Sequence, residues 1–429
     1  MLDIKLIREN PEIIKENLRK RGDKEKEKLL DRVIELDKHW RMNIKELNEL
    51  RMRRNKISEE IAKAKKEKKD IKELLEIASQ IPERIKIIEE EIRKQESEIR
   101  EILMRLPNLL HESVPIGKDD SENVEIRKFG KIPKFDFEPK HHQDIAEKIC
   151  GIDMERAAKI SGARFYFLKN PLVRLNFAIL NYALDFISKK GFEIYQPPFM
   201  INRTSCEGVI EFEAFENMIY KIENEDLFLI ATSEHPLISM FSGETFLEKE
   251  LPKFIAGVSP CFRKEAGTHG KDEKGIFRVH QFEKVEQVAI CKPEDSWDIH
   301  EKLLNNAEEF FKSLEIPFRV VNICTGDIGS VAAKKYDIEA WMPAQGKYRE
   351  VVSCSNCTDY QARRLNIKWR KKEGAAPEGF VHTLNSTLVA TERLIVAILE
   401  NFQNKDGSVS IPKILQPYMN GIKKIGPTS

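Results

Sequence analysis

At 429 residues the chain has room for two or three domains with full cores, and its 72 Lys and Arg against 71 Asp and Glu leave a net charge of +1. No global basic field announces nucleic acid, so any polyanion-binding surface has to be local. Seven scattered cysteines read as reduced thiols and not as a disulfide frame, and no apolar run reaches membrane-spanning length. The opening "MLDIKLIREN" lacks a basic segment followed by an apolar run, so it is not read as a signal peptide, and a cytoplasmic protein without membrane contact is expected.

The first 110 residues are poor in Gly and aromatics and rich in Lys, Glu, Ile and Leu. One apolar series runs Val33, Leu36, Trp40, Ile44, Leu47, Leu50, Ile57, Ile61, Ala64. A second runs Ile71, Leu74, Ala78, Ile81, Ile85, Ile88, Ile92, Ile99, Ile102, Leu106, with Gln95 as its polar interruption. Steps of three and four make heptad seams, and the apolar-poor "KAKKEKKD" between them suits the tip of an antiparallel helical hairpin. Pro82 is expected to mark a helix restart or a kink near that tip. Residues 41–69 carry eleven Lys/Arg against five Asp/Glu, while residues 70–106 carry seven against ten. The basic half, with "RMRRNK" at 51–56, is either a solvated coiled-coil face or a surface that binds phosphates by releasing their counterions.

After the linker "LPNLLHESVPIGKDDSENVEIRKFG" the texture changes, which divides the chain into residues 1–110 and 111–429. Helical patterns occupy 172–190, 294–315 and 388–403, and strand-like runs occupy 277–290, 318–324 and 349–356. Strands without regular βα alternation predict an α+β fold, an antiparallel sheet flanked by helices.

The stretch "PCFRKEAGTHGKDEKGIFRVHQFEKVE", Pro260 to Glu286, carries the strongest chemical signal. It is not a phosphate-cradling P-loop: Gly270-Lys271 is followed by Asp272, and Glu265 stands where the first glycine would be. It reads as two strands joined by a mobile loop. Arg263 and Glu265 would share one face of the first strand, and Arg278, Phe282 and Glu286 one face of the second. Guanidinium groups suit phosphate oxygens, an aromatic ring suits a base, and carboxylates suit amino groups. A hairpin laced with salt bridges would explain any one pair, but not all five residues in phase.

These residues give the resemblance. "FRKEAG" followed by "GIFRVHQFEKVE" resembles motif 2 of class II aminoacyl-tRNA synthetases in its seryl-tRNA synthetase form. In the same order, "GFEIYQPPFM" with Pro198 resembles motif 1, the dimer-interface segment, "TSEHP" resembles the serine-binding loop, and "REVVSCSNCTDYQARRLNI" the metal-and-ATP strand. "HTLNSTLVATERLIVAILENFQ" resembles motif 3, and the N-terminal hairpin resembles the tRNA-binding arm.

The resemblance implies roles for individual residues. Thr232, Ser233, Glu234, Glu286, Asn385 and Thr387 would hold L-serine. Arg263 would take the α-phosphate of ATP beside Lys264, Glu265 would meet adenine, Phe282 would stack on it, and the main chain at Val279 would lie near the ring. Arg278 and Arg393 would hold the β- and γ-phosphates, and the strand Glu350, Val351, Val352, Ser353 would complete the ATP site. Glu350 and Ser353 would coordinate Mg²⁺ through oxygen. Arg263, Arg393 and Glu350 are thus the implied catalytic set. The implied partners are tRNA(Ser), also tRNA(Sec), and a second copy of the chain in a homodimer. Arg51, Arg53, Arg54 and Lys56 are the first candidates for tRNA contact.

Three features stand apart from the resemblance or test it. Glu392 precedes the motif 3 arginine where Gly, Ser or Thr is usual; adjacent helix residues diverge by about 100 degrees, so its carboxylate is expected to point away from Arg393. Cys354 and Cys357 form a lone CxxC and are read as buried, inert thiols, with no zinc expected. His269, His280 and His382 are not required as bases. Two rival readings are a ligase that loads a carrier protein in place of tRNA, and a non-catalytic coiled-coil protein with a degenerate synthetase body. The heptad arm argues against the first and the full set of site residues against the second.

Overall fold

A computed structural model of the chain describes residues 1–265 and 274–427. The loop expected between the two strands of the Pro260–Glu286 stretch, with His269, therefore lies outside the described residues. The chain divides into two compact units, Met1–Pro107 and Asn108–Ser429.

In the first unit two short helices, α1 (Ile4–Glu9) and α2 (Pro11–Lys20), precede two long ones, α3 (Lys24–Lys66) and α4 (Lys72–Arg105). Asp23 caps α3 by accepting from the Lys26 N–H at 3.1 Å, satisfying one of the donors a helix start leaves unpaired. The long pair is antiparallel: Arg32 meets Glu98, Asn43 meets Glu91, and Arg51 meets Glu89. Leu47, Ile57, Ile81, Ile85, Ile88 and Ile92 are buried along the seam, as the heptads require. The polar interruption Gln95 is paired as well, its carbonyl accepting from Asn43 at 3.2 Å. At 1.5 Å per residue, 43 and 34 residues give helices of about 65 and 50 Å.

Pro82 does not restart the second helix; α4 runs through it. The missing N–H costs one intrahelical bond. Burial of Ile81 and Ile85 on the two sides of it holds the helix together regardless.

In the second unit an eight-stranded sheet carries the architecture. In chain order its strands are β1 (Val124–Phe129), β2 (Glu193–Tyr195), β3 (Lys253–Phe262), β4 (Gln281–Cys291), β5 (Phe318–Asn322), β6 (Lys334–Met342), β7 (Lys347–Asn356) and β8 (His382–Ala390). Their spatial order is β1-β5-β6-β7-β8-β4-β3-β2, antiparallel throughout except for the edge pair β2–β3. Helices α5 (Pro171–Lys189), α6 (Ser296–Ser313) and α7 (Thr391–Asn401) bury apolar faces against it in one core with Leu175, Phe310, Leu394 and Val320. The α+β expectation is met.

Two boundaries moved by three residues or more. The run expected as strand from 277 enters the ladder only at Gln281, because the His280 N–H is taken by the Arg164 carbonyl at 3.2 Å. The helix expected from 388 starts at Thr391, because "LVA" continues the buried strand β8.

Candidate active site

A cavity of about 390 Å³ opens over the sheet face formed by β4, β7 and β8. Strand periodicity builds most of its floor. Phe282, Lys284 and Glu286 alternate on β4, and Asn385 and Thr387 on β8. Ser353 and Ser355 alternate on β7. Glu350 is three residues from Ser353 and would face away in a regular strand. Between them β7 slips by one residue against β6: Ile338 faces Val352, but Glu339 faces Glu350, leaving Val351 as the extra residue of a bulge. The bulge turns Glu350 onto the face that Ser353 occupies.

One half of the cavity is small and acidic. Glu286 accepts from the Thr387 hydroxyl at 3.0 Å and pairs with the Lys284 ammonium at 2.5 Å, all three side chains being buried. Glu234 accepts from the Gln361 amide at 2.9 Å, and Gln361 in turn accepts from the Thr383 hydroxyl at 2.6 Å. Burial, reinforced by the charge of Glu286, pushes the Glu234 carboxyl up to about 7. The Thr232 hydroxyl accepts from the Glu234 N–H at 3.1 Å, fixing the turn that delivers this carboxyl. His235 is pushed down to about 3 by burial and by Lys284 and Arg263, so it is neutral. The Cys357 thiol lines the same wall, accepts from the Asn385 amide at 3.7 Å, and is held protonated by burial.

The other half is cationic and aromatic. The Arg263 guanidinium lies 5.1 Å from the centroid of the Phe282 ring, anchored by donation to the Ala231 carbonyl at 3.3 Å. Arg393 donates to the Glu350 carbonyl at 3.0 Å, lies 3.3 Å from its carboxylate, and stands 5.1 Å from the centroid of the Phe277 ring. Burial works to raise the Glu350 carboxyl, but Arg393, Lys335 and Arg263 outweigh it and hold it well below the usual carboxylate range, an anion whose side chain keeps 44% exposure to the cavity. On β6, Asp337 sits opposite Ser353; among the described residues its Oδ1 has no hydrogen-bond partner.

Of the residues singled out from sequence, Thr232, Glu234, Arg263, Phe282, Glu286, Glu350, Val351, Ser353, Asn385, Thr387 and Arg393 line this one cavity. Ser233 and Val352 are buried in the surrounding structure, Ser233 donating to the Gly257 carbonyl. Val279 is buried in the same core. Lys264 lies over the Tyr220 ring.

Arg263 and Glu265 do not share a strand face, since β3 ends at Phe262 and Glu265 has a positive φ of 49°. Arg278 likewise precedes β4 and donates to Glu265 at 3.0 Å. These two are partners across the loop base and not points on two strands.

Lys284, Lys335 and His235 line the cavity without having been singled out. Only Lys284 carried a usable signal, the period of two between Phe282 and Glu286. Glu392 points away from Arg393: its carboxylate accepts from the Tyr166 hydroxyl at 2.6 Å and from the Glu283 N–H at 3.0 Å.

On the first unit Arg51, Arg53, Arg54 and Lys56 are exposed on α3. Arg51 pairs with Glu89 across the hairpin at 2.8 Å and Lys56 approaches Glu60 at 4.0 Å.

Neither cysteine of the CxxC belongs to the one group of side chains, His141, His142 and Glu400, whose ligand atoms lie close enough together for a metal among the described residues. Both thiols are buried, and burial raises both. No helix among the described residues is long and apolar enough to cross a membrane.

An antiparallel sheet with an arginine-lined cavity of this construction defines a class II synthetase core, and residues 215–402 match the model of the tRNA synthetase class II core domain (G, H, P, S and T). Residues 1–110 match the seryl-tRNA synthetase N-terminal domain. A serine–tRNA ligase of Thermococcus sibiricus is 56% identical over 100% of this chain and 98% of its own length. The crystal structure of seryl-tRNA synthetase from Pyrococcus horikoshii, complexed with ATP, superposes with a TM-score of 0.97 at 53% identity, covering 100% of both chains. The cytoplasmic serine–tRNA ligase of Naegleria fowleri, in complex with AMP, does so with a TM-score of 0.91 at 39% identity, covering 100% of this chain and 99% of that one. The chain belongs to the serine–tRNA ligase family of aminoacyl-tRNA synthetases.

Proposed function

We propose that this cavity activates L-serine with ATP and passes the seryl group to the 3′ end of tRNA(Ser). The observation that carries the reading is the meeting, within one cavity, of a small acidic half (Glu234, Glu286, Thr387) and a cationic, aromatic half (Arg263, Phe282, Arg393). The first suits an ammonium and a short hydroxyl, the second a triphosphate and a base. The relative from Pyrococcus horikoshii in complex with ATP supports the nucleotide half.

A serine carboxylate oxygen would attack the α-phosphorus of ATP; the new P–O bond forms as the bond to pyrophosphate breaks, giving seryl-adenylate. A ribose hydroxyl of the tRNA terminus then attacks the acyl carbon, its proton leaves to solvent or phosphate, and AMP departs. No protein nucleophile is needed, since positioning and charge neutralisation supply the catalysis. Arg263, packed on Phe282, would hold the α-phosphate against the base. Arg393 would take the departing phosphates.

Glu350 and Ser353 offer hard oxygen donors on one face, the anion held ionised by its neighbours, and this donor set fits Mg²⁺. Bound there, Mg²⁺ would neutralise charge on the phosphates. The hairpin is read as the tRNA-binding arm and the chain as a cytoplasmic homodimer, with motif 1 at the interface; tRNA(Sec) is a further candidate substrate. Serine-dependent exchange of labelled pyrophosphate into ATP tests the activation step: exchange with serine and none with alanine supports the reading, and exchange without added serine refutes it.

A further inference from the structure

Resting on that reading, we propose that Glu392 is a positioning residue that locks the base-stacking strand to the phosphate-binding helix from behind the cavity. The ladder between β8 and β4 ends at the pair Ala390–Lys284, where the chain leaves the sheet to begin α7 at Thr391. The next residue on β4, Glu283, lies beyond this ladder, though it still pairs with Pro260 on β3. The Glu392 carboxylate, on the second residue of α7, accepts the Glu283 N–H at 3.0 and 3.1 Å through its two oxygens. The oxygen at 3.0 Å also accepts from the Tyr166 hydroxyl at 2.6 Å. The carboxyl is buried, with 2% of the residue exposed, and lies in the first turn of α7.

The chain neighbours of these two residues explain why the bond matters. Glu283 stands between Phe282 and Lys284, both of which line the cavity, and Glu392 immediately precedes Arg393. The carboxylate therefore adds a tie just past the last ladder pair, between the aromatic shelf for the base and the guanidinium for the phosphates. It touches neither serine-side carboxylate, since Glu234 and Glu286 are held by Gln361, Thr387 and Lys284. Its loss should be felt by ATP and not by serine.

The test compares E392A, E392Q and Y166F with the unaltered protein by serine-dependent pyrophosphate exchange, varying ATP and serine separately. Gln keeps a carbonyl oxygen where both donors converge, whereas Ala leaves a buried N–H without an acceptor. E392A should raise the KM for ATP on the order of tenfold with the KM for serine within about twofold. E392Q should return the ATP value to within about twofold of the unaltered protein, and Y166F should give a rise of ~2–5-fold.

An unchanged ATP KM in folded E392A, or equal rises for both substrates with a lowered Tm, would overturn the proposal. If E392A does not fold, an ATP KM unchanged in Y166F overturns it and a selective rise supports it. Absence of exchange in the unaltered protein would instead refute the functional reading on which the proposal rests.

Discussion

Replacing Glu234 with Gln separates what the site needs from what the fold prefers. In the folded protein the carboxyl titrates at about 7, against an ordinary 4.5, because it is buried and faces Glu286. A folded-state value raised above the unfolded one means that the stabilising contribution is fully present below about 4.5. It is lost as pH rises through about 7. A shift of about 2.5 units corresponds to ~3 kcal/mol of strain in the ionised state at pH 8.

Gln at this position keeps the hydrogen-bonding shape and cannot ionise. The variant should therefore be more stable than the unaltered protein at pH 8 by up to ~3 kcal/mol, and no more stable at pH 4.5. Activity should move the other way. On the proposed reading Glu234 would bond the amino group or hydroxyl of serine; losing a charge-assisted bond worth ~1.5–3 kcal/mol should raise the serine KM by ~10–150-fold while the ATP KM stays level. Thermal unfolding at pH 5 and pH 8, with pyrophosphate exchange on the same preparations, reads both effects. A variant that is less stable at pH 8, or that keeps its serine KM, would show that Glu234 plays no such part.

Other outcomes follow from the same geometry. Thr387→Val removes the hydroxyl that Glu286 accepts at 3.0 Å; the serine KM should rise ~tenfold, and Thr387→Ser should restore it, as steady-state exchange kinetics will show. Iodoacetamide under native conditions should label the exposed Cys150 and spare Cys354 and Cys357, whose burial raises both thiols, as peptide mass spectrometry can check. Reversing the charges of Arg53 and Arg54 should weaken tRNA binding and lower its salt slope by about one per lost phosphate contact. Reversing Arg51, already paired with Glu89, should do less; filter binding across a salt series measures both.

Much of this was legible in the residues, for physical reasons that also mark where legibility stopped. The heptad hairpin was readable because two helices of that length have no core except their own seam, so the period of three and four is obligatory. Phe282 and Glu286 were readable because a strand alternates. The bulge at Val351 was not: no residue type announces it, yet it alone brings Glu350 onto the face of Ser353. Arg263, Glu265 and Arg278 were assigned to strands because their spacing fits a period of two. Just beyond the last ladder bond the backbone is set by other acceptors, here the carbonyls of Arg164 and Met218, which lie far away in sequence. Pro82 does not restart the helix, since local propensity yielded to burial along the seam. Lys284 stood in plain view inside "FEKVE", but a lysine beside a glutamate reads as a surface pair until the strand is known to be covered on both faces.

Transfer of labelled serine to unfractionated tRNA with ATP and Mg²⁺, followed by identification of the charged species, bears most directly on the proposed function. Acid-precipitable serine confined to tRNA(Ser), with tRNA(Sec) where the source has one, and none without ATP, is the expected result. Serine-dependent pyrophosphate exchange without any charging of tRNA would contradict it, leaving an adenylating site that serves another acceptor.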